Sequence, residues 1–166
     1  FAGVDPTRVE LELTESMLID DEGRGQTVMR KLKALGVKTA LDDFGTGYSS
    51  LSYLSKYPFD TIKIDKAFVT ALESEANGAS ILNAIINLGA GLGMKIVAEG
   101  VETVEQAVFL IDAGCDQLQG FLLGRPQPVE NLARDIAMPV RDEIDAALDA
   151  RFAERQATAL RKLAFG

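Results

Sequence analysis

The 166-residue sequence contains no histidine, and that absence removes several chemistries at once. A Ser-His-Asp triad, a histidine general base and histidine-ligated zinc are all unavailable. Any catalysis must therefore rest on carboxylates, lysines and metal-bound water. Cysteine is nearly absent too. The lone Cys115 excludes an internal disulfide framework and suits a reducing cytoplasm. No apolar run approaches the roughly 20 residues needed to cross a bilayer, and nothing at the start reads as a signal peptide. The expectation is a cytoplasmic protein without direct membrane contact. Positive charge is also in short supply. A net charge of −8 argues against affinity for a nucleic-acid polymer, although divalent cations would still admit a small anionic substrate. What remains is ordinary globular composition, 47% hydrophobic and 25% charged, in a chain long enough for one domain with a sizeable core.

Apolar runs alternate with amphipathic stretches from the first residues onward. VELELT (Val9–Thr14), KTALDDF (Lys38–Phe44), TIKID (Thr61–Asp65), KIVAEGVE (Lys95–Glu102) and DQLQGFLLG (Asp116–Gly124) read as strands. Between them, Val28, Leu32 and Leu35 share a helical face that ends where Gly36 offers a C-cap. A second helix carries Ile81, Leu82, Ile85, Ile86 and Leu88 and runs out in the glycine-rich Gly89–Gly93. A third opens on the capping box Thr103–Gln106, buries Ala107, Val108, Leu110 and Ile111, and stops near Gly114. Such strand–helix repeats imply a parallel α/β sheet with right-handed crossovers. About five strands are visible, whereas a complete (β/α)8 barrel needs eight strands and typically about 250 residues. Either the sheet is small and open, or it is a barrel lacking its first strands. After Pro139 the apolar positions Val140, Ile144, Leu148, Phe152, Leu160 and Leu163 predict a C-terminal amphipathic helix, docked on the domain or paired with a partner.

Acids gather where the strands end. Asp42 and Asp43 close one strand, Asp65 another, and Glu99 and Glu102 lie at or just past a third. Glu12 lies inside the first strand and Glu15 just after it. In parallel α/β folds the C-terminal ends of strands face the ligand. Four or more carboxylates converging there would repel one another unless cations neutralise them. An all-oxygen set favours Mg²⁺, Mn²⁺ or Ca²⁺ over zinc. Some of these acids have a second reading, as caps of the helices that follow. Lys63 stands two residues before Asp65 and so shares its side of the strand, where it would either position a metal-bound water or form a structural ion pair. The loop Gly45–Ser50 permits tight turning, with Ser49 and Ser50 placed to cap a helix around Leu51 and Leu54.

LELTES (Leu11–Ser16), DDFGTGYSSLSYL (Asp42–Leu54), KIDKAFV (Lys63–Val69), AEGVET (Ala98–Thr103) and QGFLLGRPQP (Gln119–Pro128) occur in an order and spacing that resemble the EAL domain of bacterial cyclic di-GMP phosphodiesterases. The resemblance implies a TIM-like (β/α) barrel of the EAL type, incomplete at its N-terminus and followed by the C-terminal helix. Residues 1–138 are then a partial EAL domain and 139–166 a helical extension. It further implies hydrolysis of cyclic di-GMP to linear pGpG with two Mg²⁺ or Mn²⁺ ions, and inhibition by Ca²⁺. Carried onto this sequence, Glu12 resembles a ligand of the first metal and Asp42 the bridging ligand. Asp43 and Glu99 resemble ligands of the second, Glu99 being catalytic together with Lys63, the lysine that contacts the nucleophilic water. Glu102 and Gln119 match residues lining the site. Glu15 matches the acid that anchors the loop after Asp43, a loop that couples metal binding to dimerisation and is the expected homodimer surface.

The Glu-Ala-Leu signature, with its metal-binding Glu and phosphate-contacting Arg, is not in the sequence, nor is the Asn expected on the next strand. Without them the expectation is an enzyme by family whose 166 residues are inactive alone. The alternatives are a non-catalytic module that binds cyclic di-GMP or a protein, and a barrel completed by another chain.

Overall fold

Five parallel strands lie side by side in sequence order in the computed structural model, which describes residues 3–14, 17, 22–45, 54, 56–128, 130 and 139–165. They are β1 (Glu10–Thr14), β2 (Lys38–Phe44), β3 (Thr61–Ile64), β4 (Lys95–Ala98) and β5 (Gln117–Leu118). The helices are α1 (Glu22–Ala34), α2 (Lys66–Ser74), α3 (Gly78–Gly91), α4 (Val104–Ala113) and α5 (Pro139–Phe165). A doubly wound sheet reverses its strand order at a switch point. The uninterrupted order β1-β2-β3-β4-β5 contains no reversal, so the sheet is an arc of the barrel type. Among the described residues its edges, β1 and β5, stay open.

The two faces of the arc differ in chemistry. A Cβ placed on Gly89 of α3 would meet Ile96 Cδ1 at 2.1 Å and Ile62 Cδ1 at 3.3 Å, so Ile62 and Ile96 point toward the helical layer. Strand alternation then sends Thr61 and Lys63 to the other face, which is helix-free among the described residues. Glu10 and Glu12 share that face, because Thr61 Oγ1 donates to Glu10 Oε2 at 2.9 Å and Lys63 Nζ lies 2.8 Å from Glu12 Oε1. The helix side holds the core, where Leu41, Ile62, Ile64, Leu82, Ile86, Ile96 and Leu110 are buried in one cluster. That cluster also takes in Ile144 of α5, while Arg151 and Arg155 of α5 reach Asp112 of α4 at 2.9 and 3.0 Å. The C-terminal amphipathic helix is thus docked from Ile144 to Arg155, and Phe152 between the two arginines lies exposed.

Several boundaries follow from local chemistry. The Thr103–Gln106 capping box forms with both of its hydrogen bonds. Gly114 (φ 94°) and Gly36 (φ 86°) take the left-handed conformations that end α4 and α1. Two expectations need correction. The run 95–102 is a strand only to Ala98, because Gly100 turns the chain at φ 67°. The expected strand Asp116–Gly124 shortens to Gln117–Leu118, after which Leu122 N and Leu123 N bond back to Val101 O and Gly120 O as a turn. Helix α3 ends at Gly91, within the expected glycine-rich stretch, and at Gly89 the absent side chain lets the helix lie close on β4. Residues 66–74 carry no helical expectation from the pattern above, yet they form α2, capped by Asp65. The expected helix start at Ser49 and Ser50 falls outside the described residues. No helix among the described residues is long and apolar enough to cross a membrane.

Candidate metal site

Lys63 stands at the centre of the helix-free face, near the C-terminal ends of the strands, and only 7% of it is exposed. Its Nζ lies 2.8 Å from Glu12 on β1, 2.9 Å from Asp42 on β2 and 2.7 Å from Glu99 just past β4. Register explains how β1 reaches β3 across an intervening strand. Glu12 is level with Ala40 of β2, and Ala40 is level with Thr61 of β3. The short Ala40 side chain leaves the space across which Glu12 and Lys63 meet. Burial alone would lower the lysine pKa, but the hydrogen bonds to Glu12, Glu99 and Asp42 outweigh it and raise Lys63 above the ordinary lysine range.

Asp42 and Asp43 are adjacent in a strand, and a regular pleat would send them to opposite faces. The strand is not regular there. Leu41 pairs with Ile62 and Phe44 with Ile64, so three steps on β2 match two on β3. This bulge coincides with Asp43 at φ 53°, the one described non-glycine residue with positive φ. As a result both acids turn to the same side. Carboxylate oxygens of Asp42, Asp43 and Glu99 all lie within 4.8 Å of one another. Asp42 Oδ1 is buried and faces the Lys63 ammonium at 2.9 Å. Three carboxylates this close fit a hard divalent cation held by oxygen alone.

The predicted site residues therefore separate. Glu12, Asp42, Asp43, Lys63 and Glu99 come together. Asp65 does not: its side chain caps α2, accepting from Ala67 N at 2.8 Å. Glu102 is turned to Lys66, with which it forms an ion pair. Gln119 is exposed, and its backbone ties β5 to the loop after β4 through Gln119 N–Ala98 O at 2.8 Å and Val101 N–Gln119 O at 3.0 Å. Glu15 falls outside the described residues. Sequence reasoning missed Lys66; the second lysine of KIDKAFV was the available signal. It also missed the bulge, for which two consecutive acids at a strand end were the hint.

A family model described as EAL domain matches residues 1–126. MucR of Pseudomonas aeruginosa, a bifunctional diguanylate cyclase/cyclic di-GMP phosphodiesterase, is 47% identical over 134 residues, covering 81% of this chain and 20% of MucR. The structure of the MucR phosphodiesterase in complex with c-di-GMP matches with a TM-score of 0.74 at 48% identity, over 78% of this chain and 52% of that one. The EAL domain of Mycobacterium smegmatis DcpA matches with a TM-score of 0.75 at 42% identity, over 81% and 60% of the two chains. Klebsiella pneumoniae BlrP1, in a manganese/c-di-GMP complex, matches with a TM-score of 0.69 at 37% identity, over 75% and 32%, and its calcium/c-di-GMP complex matches equally. This chain thus spans a fifth of MucR and between 32% and 60% of these solved chains.

Proposed function

This chain belongs to the EAL domain family, and from that premise we propose that it forms the metal-binding arc of a cyclic di-GMP phosphodiesterase yielding linear pGpG. The observation that carries the reading is the gathering of Glu12, Asp42 and Glu99 around one buried lysine, with Asp43 brought alongside by the bulge. Asp42, Asp43 and Glu99, joined by Glu12, are the residues that would hold Mg²⁺ or Mn²⁺. Such ions, when bound, supply charge neutralisation at the phosphate and a water of lowered pKa. Lys63 keeps its proton at neutral pH, so it serves as a fixed positive charge and hydrogen-bond donor rather than as the base. It fixes Glu12, Asp42 and Glu99 relative to one another before any ligand arrives, which is preorganisation. Gln119 steadies the loop that carries Glu99 through its backbone. In this reading Gln119 and Glu102 line the site, the loop after Asp43 forms a homodimer surface with Glu15 as its anchor, and Ca²⁺ competes without supporting turnover.

We read the arc as one portion of a barrel, because β1 and β5 retain open edges among the described residues. The test is therefore a chimera in which the preceding strands of the MucR EAL domain are joined to residues 9–128 of this chain. With cyclic di-GMP and Mn²⁺, chromatography should show pGpG, and Asp42→Ala should lower turnover at least roughly a hundredfold. Unchanged turnover in that variant would remove the metal assignment. The 166 residues alone should form little pGpG. A non-catalytic cyclic di-GMP-binding module is the second reading, favoured by the half-exposed Glu12 on the open edge β1. Calorimetric binding of cyclic di-GMP with Ca²⁺, without turnover in the chimera, would support it.

A further inference from the structure

Glu99 sits outside any strand, and the residue after it, Gly100, has φ 67°. Its backbone N–H donates to Ile64 O at 3.1 Å, but from Gly100 onward the chain leaves the sheet, and it is at this departure that the carboxylate stands 2.7 Å from Lys63. Helix α2 supplies two holds. At its start, Lys66 pairs with Glu102. The Lys66 stem also packs against the loop, since a Cβ on Gly100 would meet Lys66 Cγ at 2.4 Å and Cβ at 2.6 Å. Near its end, Glu73 Oε1 accepts from Gln106 Nε2 at 2.9 Å and from Thr103 Oγ1 at 3.3 Å. Gln106 is buried, and its Oε1 accepts from the backbone N–H of Glu102 at 2.8 Å and of Thr103 at 3.2 Å. The loop is therefore gripped on both sides of Glu102 by one helix. That helix leaves directly from the strand that carries Lys63.

We propose that Lys66 and Glu73 are positioning residues: α2 acts as a clasp that sets Glu99 against Lys63 and so tunes the affinity of the carboxylate site for a divalent cation. The inference rests on the metal reading given above. The bland account, in which the Lys66–Glu102 pair is an exposed ion pair of small stabilising effect, predicts no change at the carboxylate site. Partners that orient metal ligands from behind commonly alter metal affinity by roughly tenfold or more when removed.

The experiment is Mn²⁺ calorimetry on the full chain, paired with thermal melts in chelator. Lys66→Met and Glu73→Ala should each weaken Mn²⁺ binding by roughly tenfold, while Lys66→Arg and Glu73→Gln, which keep the contacts, restore it. Both losses should vanish in a Glu99→Gln background, because the clasp acts through Glu99. Losses of equal size in that background would overturn the clasp and leave a merely structural role, as would wild-type affinity in both variants. If the wild-type chain binds no Mn²⁺, it is the metal reading that fails. The melts then decide the clasp alone, as Lys66→Met and Glu99→Gln should still be non-additive in metal-free buffer, and strict additivity would reject it.

Discussion

Replacing Lys63 by methionine keeps most of the side-chain volume and removes the charge on which three carboxylates converge. The cost is estimated from the surroundings. Removing one partner of a buried ion pair costs about 3–5 kcal/mol, because the other is left buried and unpaired. Here the Glu12 side chain is 50% exposed and turns to water, whereas those of Asp42 and Glu99 are 21% and 19% exposed and stay behind. The low end, about 3 kcal/mol, is therefore expected. In a chain of this size that lowers the melting midpoint by about 6–12 °C. The measurement is circular-dichroism melting at neutral pH in EDTA, then in Mn²⁺. The gap between wild type and variant should narrow with Mn²⁺, since the variant's repelling carboxylates gain more from a cation. The sign with pH follows from the raised Lys63 pKa: its contribution is complete below the ordinary lysine range and is lost only as pH rises through the folded value. A variant that melts within about 2 °C of wild type in EDTA would refute the view that Lys63 holds the site together.

Asp65→Ala removes a helix cap and should cost about 1 kcal/mol in melts; its Mn²⁺ affinity should match wild type, whereas Asp43→Asn, which keeps a side chain suited to the left-handed backbone, should lose Mn²⁺ affinity. Glycines of α3 should respond oppositely to alanine. At Gly91 nothing lies within 4 Å of the new Cβ, so the variant should gain about 0.5–1 kcal/mol. At Gly78 the Cβ would stand 2.2 Å from the Ala71 carbonyl oxygen, so α2 and α3 must separate and roughly 1–3 kcal/mol should be lost in urea denaturation.

Much of this was legible in the residues, for identifiable reasons. Strand β3 announces itself because Ile62 and Ile64 alternate with Thr61 and Lys63, the period of a strand, and β2 because Ala40 and Leu41 run into the acids at its end. The Thr103–Gln106 box is local chemistry and forms wherever the chain permits. Strand ends were harder. A string such as DQLQGFLLG carries the apolar content of a strand, but its neighbour β4 offers pairing only at Val97 and Ala98, and the excess folds into a turn. Which acid binds and which caps was not visible in the spacing either. Asp65 and Asp42 both follow an apolar strand, and only the start of α2 one residue later commits Asp65 to its backbone. The Lys66–Glu102 and Glu73–Gln106 contacts join residues more than 30 apart in sequence, where no local pattern signals a pairing.

The irregularity in β2 also separates architecture from chemistry by a single codon. Because the extra residue lies between Leu41 and Phe44, deleting Asp43 would let β2 and β3 pair step for step while Phe44 still reaches Ile64 and stays in the core. The shortened chain is expected to melt no earlier than wild type and to lose Mn²⁺ binding, an outcome that a melt and a metal titration on one sample would show or deny. A left-handed aspartate is a conformation that most residues avoid, so this fold keeps its second acid against a standing incentive to discard it. A descendant that lost Asp43 would retain the architecture without the second acid.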